Sequence, residues 1–109
     1  MKKEDIVKNN REFDNIIKKG KCKKNNEFVI YYIDNNELKS RFGISVSKKI
    51  GNAVTRNYYK RIVRNIVDNH KKLYSKGKDY IIIMRKGLIS LSFKEANESF
   101  IDLIKKINI

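Results

Sequence analysis

At 109 residues with a single cysteine, Cys22, the chain has the length of one domain and excludes an internal disulfide or a cysteine-rich zinc site, which fits a reducing compartment. No apolar run is long enough to cross a bilayer and no apolar leader opens the chain, so a soluble, cytoplasmic protein is expected. The formal net charge of +14, from 26 Lys and Arg against 12 Asp and Glu, favours a polyanionic partner and says nothing about fold.

Asn9 followed three residues later by Glu12 resembles a capping box, with Asn in the Ser/Thr role. Phe13, Ile16 and Ile17 then recur at helical spacing until Gly20 stops the pattern, predicting a short first helix on which they form the apolar face. A short strand over residues 21–24 is possible. Residues 27–34 (EFVIYYID) are β-branched and aromatic, residues 34–37 (DNNE) have turn chemistry, and Phe42, Ile44 and Val46 alternate within residues 39–47. Two antiparallel strands are expected there. Tyr31 and Tyr32 cannot face the same way, so at least one is available to the sheet surface that does not carry the core.

Gly51 and Asn52 punctuate next, with Asn52 able to cap a helix over residues 53–69. Residues 76–79 (KGKD) are a second break, residues 80–84 (YIIIM) a continuous apolar strand, and residues 92–107 a last helix burying Phe93, Ala96, Phe100, Leu103, Ile104 and Ile107. The fold class expected is α+β: a single-domain sandwich over residues 1–109, three helices against one face of a sheet of up to four strands, in the order αβββαβα.

The middle helix carries the charge. From residue 38 to 67 there are eight Lys or Arg and no Asp or Glu, and three of the six arginines, Arg56, Arg61 and Arg64, crowd into nine residues. Guanidinium groups fork onto phosphate oxygens more specifically than the lysines that abound in this Lys- and Asn-rich chain. With about 100° per residue and Ile62 at zero, Tyr58, Tyr59, Ile62 and Ile66 form the predicted buried stripe. Lys60, Arg61 and Arg64 fall on the opposite side, with Arg56 at its border. Like charges at i, i+4 repel by a few tenths of a kcal/mol each, a cost a polyanion removes.

Alternative partners fit less well. A membrane-surface helix wants Trp or Phe anchors and a free apolar stripe, and this helix needs its stripe to cover the sheet. Double-stranded DNA is usually read by a helix-turn-helix or by repeated modules, and neither pattern occurs. RNA is commonly met by sheet aromatics for stacking beside a basic wall for phosphates, roles open to Phe13, Phe28, Tyr31 and Tyr32. No catalytic constellation is legible: His70 is the only histidine and is expected as a surface residue at a helix C-terminus, and no carboxylate cluster of the kind a metal nuclease needs accompanies the positive charge.

The run FGISVSKKIGNAV over residues 42–54, followed by Arg56, Asn57, Lys60, Arg61 and Arg64, resembles the signature of the protein component of bacterial ribonuclease P. The likeness extends to the Phe13 helix, the FVIY strand at residues 28–31 and the DYIIIMRK strand at residues 79–86, nearly the whole chain in order. The resemblance implies a four-stranded sheet with a left-handed βαβ crossover at the basic helix. It also implies a catalyst made of RNA: the partner RNA, with bound magnesium, hydrolyses one phosphodiester of precursor tRNA to release the 5′ leader. The protein is then an accessory subunit with no catalytic residue and no metal or cofactor of its own. By the family pattern, Arg56, Asn57, Lys60, Arg61 and Arg64, with Lys48 and Lys49, contact the catalytic RNA, and a cleft with Phe13, Ile17, Tyr31 and Ser45 holds the single-stranded leader. Two positions depart from the pattern. Ile17 stands where a second aromatic is frequent, and Tyr58 where the pattern has a second arginine; Arg61 and Arg64 are expected to compensate. The residues alone leave a second reading open, a non-catalytic, ribosome-associated RNA-binding protein.

Overall fold

The computed structural model describes residues 5–7 and 9–107. In chain order these are α1 (Asn10–Lys19), β1 (Lys21–Lys24), β2 (Phe28–Asp34), β3 (Arg41–Ser45), α2 (Ala53–Asn69), β4 (Lys78–Met84) and α3 (Phe93–Ile107), the expected αβββαβα order including the short strand at residues 21–24. The strands lie side by side as β1-β2-β4-β3.

The strand neighbours differ from those the turn chemistry suggested. β2 and β3 do run in opposite directions, but β4 inserts between them, antiparallel to β2 and parallel to β3. The DNNE turn is real: Asn35 Oδ1 accepts from the Glu37 amide at 2.9 Å and Asn36 has φ 59°. It is no tight hairpin, because the connection passes the end of β4, where the Asn35 amide bonds Gly77 O at 2.8 Å and Ser40 Oγ bonds Ser75 O at 2.5 Å. Gly77 takes φ 76° there, a conformation that favours glycine. β3, α2 and β4 thus form a parallel crossover. The reason β4 takes the centre is its continuous apolar run, which suits a strand covered on both faces.

The helices also occupy both faces rather than one. Tyr80, Ile82 and Met84 of β4, with Phe28 and Ile30 of β2, pack against Val63, Ile66 and Val67 of α2 and Phe100, Leu103 and Ile104 of α3. Ile81 packs in the opposite direction with Val7, ahead of α1, and with Ile16 of α1, joined by the half-buried Phe13, Tyr31, Ile33 and Ile83. Strand alternation explains the split: Tyr31 and Ile33 face α1, whereas Phe28, Ile30 and Tyr32 face the larger core. β1, exposed throughout and rich in lysine, guards one sheet edge, with Cys22 exposed on it.

One capping expectation and one burial expectation need correction. Asn9 does cap α1, but its side chain accepts from the Arg11 amide at 2.8 Å, and Glu12 turns to Arg41 instead of back to Asn9. A complete capping box occurs at α3, where Ser92 N donates to Glu95 Oε1 at 3.0 Å and Glu95 N to Ser92 Oγ at 3.2 Å; hydrogen bonding from Ser92, its backbone amide first, holds the Glu95 carboxyl below its ordinary range. Phe93, the first residue of that helix, is 49% exposed and does not join the core, because it precedes the first inward position, Ala96.

Candidate nucleic-acid interface

Helix α2 begins where its sequence says it should. Asn52 Oδ1 accepts from the Thr55 amide at 2.9 Å, satisfying one of the free donors of the first turn. A single 3-10 turn, Lys48–Ile50, precedes it and leaves Lys48 and Lys49 exposed. The Arg56 guanidinium reaches back, Nη1 to Gly51 O at 3.1 Å, so this arginine is half-buried and partly committed to closing the turn.

The inward stripe of α2 is rotated from the predicted one. Val63, Ile66 and Val67 are buried, with Tyr59 and Ile62 half-buried, which centres the stripe about 90° from Ile62. One residue changes side as a result. Tyr58 is 55% exposed, its ring meeting Tyr59 edge-on at 5.2 Å between centroids. Lys60, one turn before Arg64, is half-buried at the border between the inward stripe and the arginines. Asn57, Arg61 and Arg64 remain exposed together on the outer arc.

Lys60 instead lines a cleft of about 550 Å³ with Asn10, Phe13, Asp14 and Ile17 of α1 and Ile44, Ser45 and Val46 at the end of β3. The cleft opens along the edge strand β3, between α1 on one face of the sheet and α2 on the other. Further up the same edge, the Val7 amide bonds Phe42 O at 2.9 Å, so the N-terminal segment covers β3 near Phe42. Gly43 sets the depth of the cleft. A Cβ there would come within 2.5 Å of Phe13 Cζ and 2.8 Å of Ile81 Cδ1, so the missing side chain is what lets the Phe13 ring lie against the sheet. Phe13, Ile17 and Ser45 are thus brought together as expected. Tyr31 supports Phe13 within the small core under α1 but is not part of the cleft lining.

What aims α1 was not legible in the sequence. Asp79, 4% exposed, accepts from Arg41 Nε at 3.0 Å and Nη2 at 2.7 Å, and from Asn35 Nδ2 at 2.8 Å. Arg41 Nη1 then reaches Glu12 Oε2 on α1 at 3.1 Å, one helical position before Phe13. The hydrogen bonds to Asp79 raise the Arg41 pKa further above its ordinary value, keeping the guanidinium charged. This fork ties α1 to both β3 and β4. A pattern signal did exist: an acid opening an otherwise apolar strand, with an arginine opening its parallel neighbour.

His70, expected as a surface residue, is instead half-buried. His70 ends α2, with Nε2 2.9 Å from Asn97 Oδ1 and its ring over Phe100 at 6.3 Å, joining the end of α2 to α3. Among the described residues no three His, Cys, Asp or Glu side chains gather as a metal-ligand group, and no helix is long and apolar enough to cross a membrane.

The surface therefore joins a slot of mixed apolar and polar lining, with Lys60 in its wall, to an outer arc of arginines. A model of the Ribonuclease P family matches residues 1–108. The ribonuclease P protein component of Bacillus cereus (strain B4264) is 43% identical over 107 residues, spanning 97% of this chain and 93% of that protein. Among solved structures, the Staphylococcus aureus RNase P protein superposes with a TM-score of 0.86 at 36% identity, covering 96% of each chain. The RNase P protein from Thermotoga maritima gives 0.85 at 36% identity, covering 92% of this chain and 94% of that one. With the sequence match spanning the chain and the fold shared from α1 to α3, this chain belongs to the ribonuclease P family.

Proposed function

We propose that the chain is the protein subunit of the ribonucleoprotein ribonuclease P, which removes the 5′ leader from precursor tRNA in the cytoplasm. The protein binds ribonuclease P RNA through Lys48, Lys49, Arg56, Asn57, Arg61 and Arg64, and the single-stranded leader through the cleft at Phe13, Ile17 and Ser45. The observation that carries this reading is the position of Lys60. It lines the same cleft as Phe13 and Ile17 while belonging to the helix that bears the arginines, so the slot and the cationic arc form one surface.

Each part has a chemical task. Phe13 and Ile17 offer an apolar wall to unstacked bases, and Ser45 a hydroxyl to a base edge or sugar. Lys60 supplies one cation to the strand passing between them. On the outer arc Arg61 and Arg64 fork onto phosphates, and with the neighbouring lysines they offset the repulsion between two RNAs brought together. Magnesium, held by the RNA, supplies the charge stabilisation for phosphodiester hydrolysis. The protein's contribution is binding and alignment.

Affinity purification of the tagged protein from its own cells tests the reading. Recovery of one structured RNA that, with the protein, trims leaders from precursor tRNA is the expected result. Recovery of ribosomal RNA alone, in a complex that trims nothing, would instead favour a ribosome-associated role.

A further inference from the structure

Six large apolar side chains are exposed among the described residues, and three of them, Tyr58, Ile89 and Phe93, line one groove between α2 and the start of α3. The groove measures about 370 Å³, and Tyr59, Asn65 and Ser92 also contribute to it. It is separate from the leader cleft and shares no lining residue with it. Two half-exposed aromatic rings beside an exposed isoleucine give this groove a flat apolar surface that a partner could cover.

We propose that this groove binds one unpaired nucleobase of a structured RNA, stacked against the Tyr58 and Phe93 rings. The inference rests on the reading of the chain as an RNA-binding subunit and adds a second, base-binding contact to its outer arc.

Three features select this occupant. Tyr58 lies one helical turn before Arg61, three residues on, and two turns before Asn65, so a base in the groove would have its own phosphate within reach of the arginine and its edge near a side-chain amide. The α2 wall carries no acid from its start through Val67, and Glu95, the carboxylate nearest Ser92, is bonded to that residue's backbone. Finally, a second copy of a chain with net charge +14 would bring like fields together across the groove, whereas a polyanion is attracted to it. An aromatic face beside an arginine is the usual arrangement for holding an unstacked base. Tyr58 thus replaces a phosphate contact, where the family pattern has arginine, with a stacking one.

The test measures binding of the full-length protein to in vitro transcribed ribonuclease P RNA from the same cells, over a series of salt concentrations. Tyr58→Ala and Phe93→Ala are each expected to weaken binding about five- to fifty-fold, the usual effect of losing one base stack. Tyr58→Phe, which keeps the ring, should bind within about twofold of the parent. The salt slope separates stacking from charge: it should not change in Tyr58→Ala, whereas Arg61→Ala should flatten it by about one unit per lost phosphate contact. Both aromatics are half-exposed, and an unchanged melting temperature will show that the variants fold.

Parent-like binding by both alanine variants would overturn the base site while leaving the RNA-binding reading intact. A change only in the sedimentation of the free protein would overturn it in favour of contact between copies. Failure of the parent protein to bind this RNA would overturn both.

Discussion

Gly43 shows how one residue type can shape a binding surface from beneath. It is buried on the α1 side of β3, paired with Ile81, and the Phe13 ring occupies the space a side chain would need. Gly43→Val is therefore expected to lift Phe13 out of the cleft and to destabilise the fold by about 1–3 kcal/mol through overpacking. Thermal melts will show the second effect. The first appears as a selective loss of affinity for precursor tRNA over mature tRNA in the reconstituted complex, with affinity for ribonuclease P RNA preserved. At this scale the sequence was informative about chemistry and weaker about direction. Phe13, Ile17 and Ser45 were expected at the cleft and do line it. Tyr58 was assigned to the wrong side of α2. The cause is physical: an angular stripe centred on Ile62 gives Tyr58 the weight of an apolar residue, but tyrosine tolerates water, and the real stripe follows the β-branched Val63, Ile66 and Val67.

Among the elements, the helices were far more legible than the sheet. α2 runs from Ala53 to Asn69 as its cap and periodicity indicated, because those signals are local. The order of strands is set by long-range burial instead, and the apolar β4, last in sequence, displaces β3 from β2. The same non-local logic hid the Arg41–Asp79 fork, whose partners are far apart in sequence and adjacent only once β3 and β4 pair. Asp79→Ala removes the acceptor of three hydrogen bonds and leaves the Arg41 guanidinium, 26% exposed, with Glu12 as its remaining carboxylate partner. It is expected to cost about 2–3 kcal/mol and so to lower the melting temperature by about 10–20 °C for a domain of this size. Glu12→Gln acts at the exposed end of the same network, on a side chain 44% exposed, and is expected to cost less than about 1 kcal/mol. Differential scanning calorimetry on the two variants will rank the two ends of the fork. Equal losses would contradict the division between a buried anchor and an exposed tether.

For the molecule as a whole, the sheet serves as a partition. One face carries α2 and α3 over the main core, the other carries α1 over a smaller one, and the cleft lined by Phe13 and Lys60 runs along the edge where both faces meet. On the function proposed above, a chain so arranged would bring a leader strand and a large RNA to adjacent sites while its net charge of +14 offsets their mutual repulsion. Such a protein is expected to matter most when few other cations are present. The decisive measurement is the rate at which ribonuclease P RNA cleaves precursor tRNA at low magnesium, with and without this protein, beside a control with protein alone. Rapid leader release only when RNA and protein are combined, and none from the protein alone, is the result expected of an accessory subunit of an RNA catalyst. Cleavage by the protein alone, or an RNA whose rate the protein leaves unchanged, would contradict it.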